Sequence, residues 1–458
     1  MLTFCGMHGW KKWSGAVFPR LQKLEIKGCP NLVEVTLEAL PSLNDLRISR
    51  CDSGVLRRLV EVASAVTKLD IYHISGLTDE VWGGVIESLG GVEELKMSTC
   101  NEIRYVVKSD ADASKILVTL RKLKVRFCDN LVSIGEKEEE EDNCRCNLLT
   151  SLRIFKVSYC KNMKRCSCPN GVEELSVESC SSMTVVWFPK GGQEKLRSLR
   201  IWNCRNLLEK EWEWEWEWEW GGQKTNNNRS SSMPMLEHVR IYNWRNLKSM
   251  IELNCLVHLT ELIIEDCENL ESFPDTLTSL KKLVISNCPK LDVCFLPGWV
   301  WPPNLRFLKI GKLKKPFSEW GPQSFPTSLV ELELQGGGED GAGSCSEFSH
   351  LLPSSLTSLH IQEFEKLESF SVRLQHLQSL SFFKCPNLKK VSWHPQYLTS
   401  LHHLTFENCP KIMDLPEMLL PSLLSLRILY NCPDLKERCS KNGSYWPLIS
   451  HIPCIWIG

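Results

Sequence analysis

The 458-residue chain lacks a charge excess, a long apolar run and an apolar leader. Its 54 Lys and Arg stand against 55 Asp and Glu, a formal charge of −1. The basic excess of a nucleic-acid binder is therefore missing, and no nucleic-acid partner is expected. No stretch approaches the roughly 18 apolar residues that cross a bilayer, so no membrane span is expected. Residues 1–13 carry Lys11 and Lys12 but no apolar run of signal-peptide length, so a cytoplasmic or nuclear location is expected. Catalytic patterns are missing as well. The 11 histidines are scattered, with His402-His403 the one adjacent pair, and no Ser/His/Asp order or carboxylate pair recurs in a consistent frame. Gly221-Gly222-Gln223-Lys224-Thr225 departs from a phosphate loop because Gln223 separates glycine from lysine. Cys144/Cys146 and Cys166/Cys168 each enclose one residue, whereas structural zinc pairs enclose two or more. The expectation is no enzyme, with no catalytic, cofactor-binding or metal-ligating residues.

Cysteine, by contrast, is plentiful at 22 residues, and its positions are periodic. An apolar residue is followed by a second three later, a third two later and a cysteine three after that: Leu21, Leu24, Ile26, Cys29. The frame returns with Cys51, Cys100, Cys128, Cys160, Cys180, Cys204, Cys267, Cys288, Cys385 and Cys409. Five copies replace the cysteine by Ile74, Trp244, Leu313, Gly337 or Phe364, and the last copy reaches Cys432 one residue late. The seventeen copies from Leu21 to Leu423 lie about 25 residues apart, inside the leucine-rich-repeat window.

The apolar-x-apolar core alternates at period two, which predicts a short strand with one oily face. One copy cannot bury that face, and stacked neighbours can. The predicted fold is an α/β repeat solenoid, a leucine-rich-repeat horseshoe with a parallel concave β-sheet. Pro or polar, Asn, Leu follows the slot, as in Pro30-Asn31-Leu32, Asp129-Asn130-Leu131 and Pro386-Asn387-Leu388. Proline there suits a turn, so the convex side is predicted to be irregular, with short helical turns and no long helices. Residues 1–20 read as a lead-in, 21–438 as the array and 439–458 as a C-terminal tail or cap. The acidic run 136–142 and the low-complexity insert 209–232, with five Glu-Trp pairs at 211–220, read as outer-face insertions.

Residues flanking the strand leucines are predicted to point out of the concave face. Between the two strand leucines the middle copies read Lys96, Lys124, Lys156, Ser176, Arg200 and Arg240. Two positions on come Arg126, Trp202 and Tyr242, with Phe127 and Tyr159 beside them. Arg, Trp and Tyr are enriched at binding hot spots. The candidate protein-binding patch is Lys124, Arg126, Lys156, Tyr159, Arg200, Trp202, Arg240 and Tyr242, suited to an acidic or mixed protein surface.

The repeated L-x-x-L-x-I-x-x-C-P-x-L unit resembles the C-terminal repeat region of plant intracellular disease-resistance receptors of the coiled-coil, nucleotide-binding, leucine-rich-repeat (NLR) type. Gly6-Met7-His8-Gly9-Trp10-Lys11-Lys12-Trp13 and Phe18-Pro19-Arg20-Leu21 look like that family's lead-in. Leu352-Pro353-Ser354-Ser355-Leu356-Thr357 and Leu420-Pro421-Ser422-Leu423 are similar to its late repeats. Cys432-Pro433-Asp434-Leu435-Lys436-Glu437-Arg438-Cys439, Trp446-Pro447 and His451-Ile452-Pro453 look like its terminus. The resemblance implies defense-response sensing of a pathogen effector or guarded host protein, and contact with a nucleotide-binding domain in cis or in trans. It assigns no nucleotide to these residues, because the family's coiled-coil and nucleotide-binding regions are missing from this sequence. Met1 then falls inside a repeat region, which suggests a truncated gene product or an incomplete gene model. The alternative is an F-box-like substrate adaptor of a ubiquitin ligase, which an F-box helix pair ahead of Leu21 would favour. An enzyme decorated with repeats would need a leftover segment that the sequence does not offer.

Overall fold

The computed structural model describes residues 1–15, 17–107, 118–135, 149, 151–188, 194–208, 233–250, 256–273, 277–292, 301–315, 317, 325–337, 352–372, 374–393, 400–415 and 422–458. The acidic run 136–142, the Glu-Trp run 211–220, Gly221 to Thr225, Cys144, Cys146, Leu420 and Pro421 lie outside the described residues. Two compact units are present, Met1–Asn246 and Leu247–Gly458.

In the first unit the apolar-x-apolar cores form strands that pair in chain order and in parallel. Leu2–Cys5 pairs with Lys23–Lys27, and then come Asp45–Ser49, Lys68–Tyr72, Glu94–Ser98 and Lys122–Arg126. Ile154–Ser158, Glu174–Glu178, Ser198–Trp202 and His238–Tyr242 continue the sheet. The second unit repeats the plan from Glu261–Glu265 through Lys282–Cys288, Phe307–Leu313, Glu331–Gln335 and Ser358–Gln362. Ser379–Phe383, His403–Glu407, Ser425–Leu429 and Cys454–Ile457 complete it. The chain folds as a leucine-rich-repeat solenoid. All seventeen copies supply a strand. Leu2–Cys5 and Cys454–Ile457 are two more, in segments that do not carry the repeat frame.

The register sets like on like: Leu123 lies against Phe155, Leu175 and Leu199 follow, and Val125, Val157, Val177 and Ile201 form the next row. Nearly all of these side chains are wholly buried. Each such burial is worth about 1.5–3 kcal/mol and is available only beside a neighbouring copy.

The slot residue turns inward because the residue before it adopts a left-handed backbone. Phe127, Tyr159 and Asn203 have φ of 54°, 58° and 53°, and Asp266, Lys312 and Glu363 have 60°, 51° and 58°. That conformation costs a non-glycine residue roughly 1 kcal/mol. It is offset by an amide bond to the end of the next strand, as from Phe127 N to Ser158 O at 3.0 Å and from Tyr159 N to Glu178 O at 2.8 Å. It also drives the slot side chain into the core. Cys29, Cys51, Cys100, Cys128, Cys160, Cys180, Cys204, Cys267, Cys288, Cys385 and Cys409 are all buried. Burial pushes the Cys204 thiol up to about 12, so it stays protonated and unreactive at neutral pH. The asparagine two residues after the slot ties one copy to the preceding one. Asn31 Nδ2 donates to His8 O at 2.6 Å, Asn130 to Asn101 O at 2.6 Å and Asn206 to Ser181 O at 2.7 Å.

The side away from the main sheet is more ordered than the sequence predicts. Short strands pair in parallel at Lys12–Gly15 with Glu34–Leu37, Tyr105–Val107 with Ser133–Gly135, and Arg165–Ser167 with Val185–Trp187. The second unit has Ser369–Val372 with Lys390–Trp393. Cys166 lies on one of these strands, and both it and Cys168 are buried in the core. Two helices also appear in the first unit, Ser53–Val62 and Asp79–Ile86. The first buries Val55, Leu56, Leu59 and Val60 and is capped by Asp52, which accepts from Gly54 N at 2.8 Å. Ten residues is longer than the short helical turns predicted there. Among the described residues no helix is long and apolar enough to cross a membrane.

Candidate recognition surface

Side chains between the strand leucines stand on the face of the sheet opposite the core. In the first unit the register aligns Lys96, Lys124, Lys156, Ser176, Arg200 and Arg240 in one row across six strands. A second row holds Arg126, Ser158, Glu178, Trp202 and Tyr242. Adjacent strands lie ~4.8 Å apart, so neighbours in a row are in reach of one another.

Aromatic rings pair along the edge of this face. Phe127 and Tyr159, at successive left-handed positions, stack with centroids 4.7 Å apart and an interplanar angle of 11°. Trp202 and Tyr242 lie 4.1 Å apart at 37°. Phe127, Tyr159 and Trp202 remain 48%, 41% and 43% exposed, so a partner that covered these paired rings would gain from their burial.

The positive row is not continuous in charge. Glu174 and Glu178, in the columns on either side of Ser176, occupy the strand between Lys156 and Arg200. Lys156 pairs with Glu174, Arg200 Nη1 approaches Glu178 Oε1 at 3.7 Å, and Ser176 Oγ donates to Glu178 at 2.8 Å. Two patches result. Lys124, Arg126, Lys156 and Tyr159 form one, and Arg200, Trp202, Arg240 and Tyr242 the other.

Burial lowers the Lys124 pKa from its ordinary value, and the charges of Lys122, Lys156 and Lys96 push it the same way. Among the described residues neither Lys124 nor Arg126 has an ion pair.

The second unit presents a different surface, and no sequence pattern singles out its residues. His360 bridges Ser358 Oγ at 3.0 Å and Ser381 Oγ, with Glu331 Oε1 at 3.6 Å. This is a polar chain on an open sheet face. At the turns leaving the strands, an open groove of about 870 Å³ passes Lys312, Gly336, Glu363, Lys384 and Asn408. Glu363 accepts from Lys312 at 2.6 Å and from Gln335 at 2.8 Å, with Lys384 at 3.5 Å. Burial pushes its carboxyl up, but those bonds and charges outweigh burial and hold it at about 2.

A carboxyl depressed from 4.5 to about 2 stabilises the fold fully above pH 4.5, and that contribution disappears as protonation proceeds toward pH 2. Discounted for solvent screening, it amounts to about 1–2 kcal/mol. Glu363→Gln is expected to lose about that much in urea unfolding at pH 7, with the gap to wild type narrowing by pH 3. A gap independent of pH would contradict this role for Glu363.

Among the described residues no group of three or more His, Cys, Asp or Glu side chains is placed to hold a metal ion.

No family model matches the chain. Two probable disease resistance proteins of Arabidopsis thaliana, RF45 and RDL5, are each 26% identical to it over 238 residues, covering 43% of this chain. The chain spans 22% of the length of each of these curated relatives. Among solved structures, a leucine-rich-repeat protein of Leptospira interrogans is similar at 16% identity and a TM-score of 0.48, covering 84% of this chain and 92% of its own. A TLR13–ssRNA13 complex is similar at 15% identity and a TM-score of 0.47, covering 95% and 75%. The chain is a leucine-rich-repeat protein with weak similarity to plant disease-resistance proteins.

Proposed function

We propose that this chain is the protein-recognition region of a plant intracellular immune receptor of the NLR type. In this reading it senses a pathogen effector or a guarded host protein in the cytoplasm, without catalysis of its own. Contact with a nucleotide-binding domain, in cis or in trans, belongs to the same reading. So does the division into a lead-in at 1–20, an array at 21–438 and a cap at 439–458. The observation that carries the reading is the exposed pairing of aromatic rings beside in-register cations on the first unit's sheet, at Arg200, Trp202, Arg240 and Tyr242. Rings and guanidinium groups held on rigid strands are the usual anchors of protein interfaces. The weak likeness to the two disease resistance proteins supports the choice of receptor class.

The test replaces Arg200, Trp202, Arg240 and Tyr242 by alanine in the full chain. Proteins enriched from plant cytosol by wild type and variant are compared by quantitative mass spectrometry, and each differing protein is then titrated directly onto the purified chain. The expected result is at least one direct partner whose affinity falls about tenfold or more. An unaltered set of partners, with the variant's circular dichroism unchanged, would end the reading.

A further inference from the structure

Lys124 stands at the centre of a cation cluster that the fold neutralises only in part. Its register partners on the two flanking strands are Lys96 and Lys156. Its own strand carries Lys122 and Arg126 on the same face. Like charges placed directly opposite destabilise a sheet. Among the described residues the ion pairs fall on the rim: Lys96 approaches Asp70 at 3.8 Å, Lys122 approaches Glu94 at 3.8 Å, and Lys156 pairs with Glu174. Lys124 makes no ion pair of its own among the described residues; burial and then the charges of Lys122, Lys156 and Lys96 lower its proton affinity, and Glu174 opposes them only in part. Beside it lies the Phe127–Tyr159 stack, two exposed rings held parallel on backbone that is itself strained.

We propose that Lys124, with Lys96, Lys156, Arg126 and the Phe127–Tyr159 stack, seats an extended polypeptide segment carrying clustered carboxylates next to an apolar side chain. The proposal deepens the recognition reading above and rests on it. The lysines run across three strands at a pitch of ~4.8 Å, so one carboxylate cannot answer all of them. Two or three acidic side chains on one face of an extended chain, about 6.6 Å apart, can span the row. An apolar neighbour in that segment lies against the rings and removes them from water. The cluster supplies charge complementarity, and the rings tie the preference to polypeptide over a bare anion.

Fluorescence anisotropy on the full chain tests this with a labelled peptide of four glutamates followed by leucine and tryptophan. A glutamine version of the peptide and inorganic tripolyphosphate are the comparison probes. The glutamate peptide is expected to bind, with affinity falling as salt rises, and the glutamine version to bind about tenfold or more weakly. Lys124→Glu is expected to weaken the glutamate peptide about tenfold or more, and Tyr159→Ala to weaken it several-fold. Lys124→Met is expected to raise the midpoint of thermal unfolding, because repulsion is relieved, while it lowers peptide affinity. Equal binding by wild type and Lys124→Glu would overturn the proposal. So would tripolyphosphate binding about tenfold more tightly than the peptide, or a lower midpoint in Lys124→Met. If the acidic peptide fails while the four-alanine variant still loses a direct partner, the seat is wrong and the recognition reading stands. If the peptide binds at Lys124 while that variant loses no partner, the seat stands and the recognition reading at Arg200, Trp202, Arg240 and Tyr242 is wrong.

Discussion

Alanine at position 311 is expected to open the second unit locally and to cost about 3 kcal/mol or more. Gly311 pairs with Gln335 across the strands Phe307–Leu313 and Glu331–Gln335. A Cβ on Gly311 would overlap the Gln335 carbonyl oxygen and lie 2.6 Å from its carbon. The obstacle is backbone, which cannot rotate away as a long side chain can. Relief requires the two strands to separate, and Lys309, Ile310 and Lys312 move with them. Lys309 reaches back over one strand to Glu265 at 2.7 Å, and Lys312 reaches forward to Glu363 at 2.6 Å, so both cross-strand ties would be strained. Because a solenoid couples nearest neighbours, the damage is expected to stay local. Hydrogen exchange should show Gly311→Ala losing protection at 307–313 and 331–335 while Leu123, Val157 and Ile201 in the first unit keep theirs. Protection indistinguishable from wild type would mean that Gly311 does not approach Gln335 this closely.

The second large effect runs against the repeat's own consensus. Trp244 occupies a slot that eleven other copies fill with cysteine, so Trp244→Cys restores the majority residue, a change that often stabilises. Here it is expected to destabilise by about 3 kcal/mol or more. Trp244 is wholly buried, and its indole Nε1 donates to Leu207 O at 2.9 Å. Cysteine would leave most of the indole volume empty and the Leu207 carbonyl without that donor. Trp244→Phe separates the two terms, since it keeps much of the volume and loses the hydrogen bond. Equilibrium urea unfolding should rank wild type above Trp244→Phe, and that above Trp244→Cys. Equal stability of wild type and Trp244→Cys would show that the site collapses around the smaller side chain.

The strands are legible in the sequence because their signal is local. Leu199 and Ile201 announce a strand within five residues, and seventeen repetitions make the announcement redundant. The slot is legible for the same reason. Less visible are features that depend on which copies stack. Nothing in the sequence near Glu363 points to Lys312, which lies 51 residues and two repeats away and meets it by reaching past the strand between them. Helix Ser53–Val62 has a local signature in Val55, Leu56, Leu59 and Val60, but the expectation of an irregular outer side masks it. The left-handed residue before the slot is half hidden: Asn203, Asp266, Asn287 and Asn408 are of types that favour it, whereas Phe127, Tyr159 and Lys312 are not. The candidate surface is half legible. One column of the repeat yields Lys124, Arg200 and Arg240, whereas Glu174 and Glu178, which part them, matter only once neighbouring columns are in register.

Stability within each unit depends on each copy hiding its slot and strand side chains against its neighbour. Alkylation of the native full chain with iodoacetamide, read residue by residue by mass spectrometry, measures that concealment. Cys5 is exposed and should label quickly, whereas Cys128, Cys160, Cys180, Cys204 and Cys409 are buried and should label only after denaturant is added. Slot cysteines that react in the folded chain as fast as Cys5 would contradict the stacked-repeat account.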